Sequence, residues 1–108
     1  KMNEEGILVA LKLGVTDAVK QQLSRILNNC DFEADELNRI VQLNDKLVSF
    51  DSYITMSSTH DYFKIKNEAP SVAGKKAVMD IVLEWSEKYK LKIQKVPNKD
   101  TYYIVGRC

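Results

Sequence analysis

His60 is the only histidine in the chain, and it stands beside Asp61 and directly after Ser57, Ser58 and Thr59. A hydroxyl nucleophile, an imidazole base and a carboxylate that orients the base are the parts of a hydrolase triad. Consecutive placement works against that use, because the roles need convergence in space, and no sharp strand-to-helix turn presents a nucleophile here. The segment reads instead as a loop or strand entry in which short polar side chains bond the local backbone. A Cys30–His60 thiolate pair is also disfavoured, since Asp31 and Glu33 beside the thiol would raise its pKa rather than lower it. Cys30 and Cys108 match no zinc spacing and read as reduced thiols, which is the basis for expecting a cytoplasmic protein.

Metal and nucleotide chemistry fare no better. Asp31, Glu33 and Asp35 mimic the alternate carboxylates of a calcium loop, but the central glycine is missing and the later bidentate acid would fall on Gln42. They read as the acidic first turn of a helix. Gly74-Lys75-Lys76 lacks the upstream glycine of a phosphate-binding loop and has Ala77 where a hydroxyl would hold magnesium. No cofactor, metal site or catalytic set is expected, and the protein is expected not to be an enzyme.

A basic surface with aromatic members is the most informative pattern. Tyr62-Phe63-Lys64-Ile65-Lys66 alternates as a half-buried strand does, so with Phe63 and Ile65 inward, Tyr62, Lys64 and Lys66 face out. By the same rule Leu91 and Ile93 face in and Lys90, Lys92 and Gln94 face out, beside one of Tyr102 and Tyr103. Rings that stack unpaired bases and lysines that meet phosphates make single-strand binding surfaces. The candidate nucleic-acid-binding residues are Tyr62, Lys64, Lys66, Lys90, Lys92 and Tyr103. The competing reading is a solvated sheet face in which lysine stems cover apolar surface.

The elements that must position these residues follow from caps and periodicity. Asn3 caps a helix that opens at Glu4-Glu5 and carries Ile7, Leu8 and Leu11 to a stop at Gly14. Thr16 caps a second helix with the stripe Val19, Leu23, Ile26 and Leu27. A third, capped by Asp31, carries Leu37, Ile40, Val41, Asn44, Leu47 and Val48 and is expected to end near Ile54. The period then changes to the short strand at 62–66. Ser71 caps a long fourth helix to Lys88 or Tyr89, with Val78, Ile81, Val82, Trp85 and Tyr89 on one side. Leu91–Val96, the turn Pro97–Asp100 and Thr101–Val105 read as a hairpin.

The fold class expected is α+β: about three N-terminal helices packed on a β-α-β-β unit with a small antiparallel sheet and a terminal hairpin, in one domain over 1–108. The helical half, 1–60, is acidic and the β-α-β-β half, 61–108, is basic. Counted through Asp61, six basic residues oppose ten acidic ones, a net −4; beyond it ten oppose five, a net +5. Met2 reads as a native start. The apolar runs Gly6–Leu13 and Ala77–Trp85 fall far short of the roughly 20 residues a membrane span needs.

The stretch from Lys75 to Arg107, a helix leading through Tyr89-Lys90-Leu91 into a hairpin, resembles in layout the small single-strand-binding domain family named for an arginine and a histidine separated by three residues. The resemblance covers under a third of the chain. The positions corresponding to that basic pair hold Lys76 and Asp80, so it implies the layout and not the motif.

With 44% apolar and 29% charged residues over 108 positions, the chain has the composition of a globular domain, not of a disordered or disulfide-dense one. A helix-turn-helix reader over 16–48 is disfavoured, because its second helix would open on Glu33, Asp35 and Glu36 and meet phosphates with the wrong sign. The leading expectation is a small non-enzymatic binding or regulatory protein that works through protein–protein contacts, with the acidic helices as partner surface and self-association into a homodimer included. The alternative is a single-strand RNA or DNA binding domain that uses the basic aromatic face.

Overall fold

The Asn3 side chain opens the first helix by accepting a hydrogen bond from the Gly6 amide at 2.7 Å. A computed structural model describes residues 3–108, and Lys1 and Met2, the expected native start, lie outside the described residues. Helix α1 spans Glu4–Ala10 and buries Ile7 and Leu8. It stops earlier than expected, with Lys12 rather than Gly14 in the left-handed region (φ 59°). Helix α2, Asp17–Cys30, starts at Thr16, whose hydroxyl accepts from the Val19 amide, and buries Leu23, Ile26 and Cys30.

Asp31 does not cap the third helix. It closes α2 in the left-handed conformation (φ 56°), and Glu33 opens α3, Ala34–Leu47, through a reciprocal capping box with Glu36. A second correction concerns the end of α3. The apolar stripe suggests a helix to Ile54, but α3 gives way to a single 3-10 turn, Val48–Phe50, and Asp51 turns the chain at φ 56° into strand β1, Tyr53–Met56. Strand β2 follows at Phe63–Lys66, then α4 at Val72–Tyr89, β3 at Leu91–Lys95 and β4 at Thr101–Arg107. The C-terminal unit is therefore β-β-α-β-β, one strand richer than expected.

Among the described residues there are four α-helices and one four-stranded antiparallel sheet in the order β1-β2-β4-β3, an α+β fold. Register decides which side chains share a face. Ile54 pairs with Ile65, Phe63 with Ile104, Ile65 with Tyr102 and Ile104 with Ile93, which makes a continuous apolar inner face. Phe63, Ile65 and Ile104 are wholly buried there, against a core that includes Leu23, Ile26, Ile40, Val78, Val82 and Trp85. Helices α2, α3 and α4 pack on the sheet, and α1 packs on α2 and α3. Trp85 ties α4 to α3 by donating its indole N–H to the Arg39 carbonyl at 3.0 Å.

Two devices shape the sheet edges. On β1, the Ile54 amide donates to Oδ1 of buried Asn44 at 2.8 Å, so α3 occupies a donor that an edge strand would otherwise offer to another chain. Between β3 and β4 the pairing of Lys92 with Gly106 and of Ile93 with Ile104 leaves Val105 as an extra residue, a bulge that Gly106 permits at φ 151°. No helix among the described residues is long and apolar enough to cross a membrane.

Candidate nucleic-acid interface

The residues opposite the apolar face form the second surface of the sheet. Tyr53 pairs with Lys66, Thr55 with Lys64, Lys64 with Tyr103 and Tyr103 with Gln94, so these side chains share one side. Alternation from Lys64 adds Tyr62, and alternation from Gln94 adds Lys92. Lys64, Lys66, Tyr62 and Tyr103 keep part of their surface in solvent, whereas their sequence neighbours Phe63, Ile65, Tyr102 and Ile104 are buried. That contrast places the helices on the inner side and leaves the outer side open. Tyr103 rather than Tyr102 is the outward tyrosine; Tyr102 sits inward, where burial, and then Asp100, push its phenol pKa up.

Lys90 departs from the expected set. It occupies the left-handed position that ends α4 (φ 56°), its carbonyl accepts from the Cys108 amide, and it belongs to the helix–strand corner rather than to the sheet.

Three rings gather on the open face. The centroids of Tyr62 and Tyr103 are 5.2 Å apart, those of His60 and Tyr103 5.4 Å, and His60 lies nearly parallel to Tyr62 at 6.3 Å. His60 Nδ1 lies 2.9 Å from Thr59 Oγ1 and 3.2 Å from the Tyr103 hydroxyl. Sequence alternation does not reveal His60 as a member of the face, because its partner is 43 residues further along the chain; its loop position next to Tyr62 is the one available hint.

The loop that carries His60 is held from below by α2. Gln22 donates to the Ser57 carbonyl at 2.7 Å, Asn29 donates to the Asp61 carbonyl at 2.9 Å, and Arg25 Nε lies 3.5 Å from Asp61 Oδ1. Within the loop, Ser57 Oγ accepts from the amides of Thr59 and His60. These bonds fix the loop over one end of the sheet, so the ring cluster is positioned before any ligand arrives.

The same contacts answer the hydrolase reading. Asp61 faces Arg25 instead of His60, and Ser57 Oγ is engaged with two backbone amides. A carboxylate that would orient the imidazole is therefore missing from this set. The Cys30 thiol is buried, 3.7 Å from the carbonyls of Asp61 and Ile104, and burial, with Asp61 adding, pushes its pKa up to about 11. Burial is the larger cause, rather than the flanking Asp31 and Glu33. A thiol held neutral in this way is a poor nucleophile.

Charge on the face is only partly compensated. Lys64 and Lys92 make no ion pair among the described residues, and Lys66 reaches only Glu68, at 4.0 Å. Several carboxylates of the acidic half are engaged internally: Glu5 with Lys20 at 2.8 Å, Asp31 with Arg107, and Glu33 and Glu36 in the capping box. No group of three or more histidine, cysteine or acidic side chains among the described residues would hold a metal ion. Comparison with known protein families, with curated proteins and with solved structures finds no match, so the site rests on its own geometry.

Proposed function

We propose that the protein binds single-stranded nucleic acid, RNA or DNA, on the outer face of its sheet, and that it does so without catalysing a reaction. The observation that carries this reading is the cluster of His60, Tyr62 and Tyr103, with centroids 5.2 to 6.3 Å apart, on a face also bearing Lys64 and Lys92, which make no ion pair among the described residues. Unpaired bases stack on such rings regardless of sequence, and lysines beside them meet the phosphates. A duplex hides its base faces and offers the rings nothing to stack on.

Part of the acidic half's charge is taken up inside the molecule, which leaves less of it for a partner. The carboxylates of Asp31, Glu5 and Asp61 pair within the molecule, and α2 acts as the support of the 57–61 loop. Anisotropy titrations with labelled single-stranded RNA, single-stranded DNA and duplex DNA at low and physiological salt test the reading. Preferential single-strand binding that weakens steeply with salt is expected. Flat titrations would overturn it, and a mass that rises with concentration in size exclusion would then favour protein–protein contacts and a homodimer.

A further inference from the structure

The open face contains a hollow of about 120 Å³ between the 57–59 loop and the β3–β4 turn, next to the ring cluster. Lys64 and Lys66 line it from β2, Lys99 lines it from the turn, and none of its lining residues is acidic. Of the nearby carboxylates, Asp100 pairs with Lys75 at 3.0 Å and Asp61 with Arg25, while Glu68 stands 4.0 Å from Lys66, at the limit of an ion pair. Ser58 and Thr101 also border the space, and Tyr103 joins it to the stacking rings. The turn that brings Lys99 there is set by Pro97 and by Asn98 at φ 61°, and closed by a bond from the Lys99 amide to the Val96 carbonyl.

We propose that this hollow binds a phosphate monoester, so that the strand recognised on the face is one that ends in a phosphate. The inference rests on the single-strand reading above and goes beyond it by naming the end group. Three lysines and two hydroxyl-bearing residues around one small space suit a group that carries close to two negative charges and three acceptor oxygens. An internal phosphodiester carries one charge and two chain connections, so it offers the lysines less charge and needs an exit for the chain on both sides.

The test is an anisotropy series with one sequence in four forms: 5′-phosphorylated, 3′-phosphorylated, hydroxyl at both ends, and hydroxyl-ended but two nucleotides longer. The longer strand adds two phosphodiester charges, about as many as the end phosphate, without adding a monoester. A phosphate at one of the two ends is expected to tighten binding roughly tenfold over both hydroxyl-ended forms, about what one charge-assisted hydrogen bond supplies. The end that gives the tighter binding defines the strand's polarity on the face. In Lys99→Gln the ratio between phosphorylated and hydroxyl-ended affinities is expected to fall toward one. Equal affinity for all four forms, or an unchanged ratio in Lys99→Gln, overturns the phosphate site and leaves the stacking face standing. Absence of binding by every form overturns both.

Discussion

Lys64 on β2 and Tyr103 on β4 are register partners on the outer face, so an ammonium group and a phenol ring share one cross-strand position. The pairing juxtaposes the two features a single strand requires, a positive charge for phosphate and an aromatic plane for a base. His60 enters the same position from a loop held by α2, so a helix on the inner side shapes the outer surface without touching a ligand.

Reversing charge at Lys64 and Lys92 separates electrostatic from stacking contributions. The double variant Lys64→Glu, Lys92→Glu is expected to lose at least tenfold in single-strand affinity at low salt. Its dependence of log affinity on log salt should become shallower by about 0.7 for each phosphate that is no longer neutralised. Titrations over a salt series read both quantities, and a slope equal to that of the unaltered protein would take these lysines out of the interface.

Removing the ring of Tyr103 is expected to weaken binding by about 1–3 kcal/mol, the usual contribution of one stacked base. Tyr103→Phe keeps the aromatic plane and loses only the hydroxyl near His60 Nδ1, so it should bind far better than Tyr103→Ala. Urea midpoints of both variants, followed by the fluorescence of Trp85, the only tryptophan, show whether the fold is retained.

Burial of Cys30 makes stability depend on pH in the alkaline range. Its folded pKa is pushed up to about 11 from an ordinary value of 9.0, so its contribution is full below that ordinary value and is lost as pH rises toward 11. Urea midpoints should fall across this window, and Cys30→Ala should flatten the decline, leaving a part from Tyr102, whose pKa burial also raises. At neutral pH a disulfide reagent should titrate exposed Cys108 promptly and buried Cys30 only as the protein opens.

Asn44 links the helical layer to the edge strand through a single buried acceptor. Asn44→Leu keeps the volume but leaves the Ile54 amide without a partner, and the expected cost is about 1–3 kcal/mol in chemical denaturation. Asn44→Asp keeps the acceptor and should cost less.

Much of this architecture is legible from local chemistry. Asn3, Thr16 and Ser71 cap helices as their side chains suggest, and the alternation from Tyr62 to Lys66 gives both the strand and its outward residues. Strand β1 is not legible, because Tyr53 and Ile54 continue the apolar stripe of α3. Only pairing with β2 and the bond from Asn44 make those four residues a strand, and both are tertiary. The site divides in the same way. Tyr62, Lys64, Lys66, Lys92 and Tyr103 follow from strand parity, whereas Lys90 precedes by one residue the strand that parity would give it. His60 and Lys99 sit on loops, and their approach to Tyr103 and to β2 depends on how two turns fold over the sheet.

The most direct test of the central claim is amide chemical-shift mapping of isotopically labelled protein during titration with a short single-stranded oligonucleotide. The account predicts that perturbations concentrate on β2, on β4 around Tyr103, on Lys92 and on the 57–61 loop, with α1, α3 and the exposed side of α4 unmoved. Perturbations centred on the acidic start of α3, or none on the outer face at saturating oligonucleotide, would contradict it.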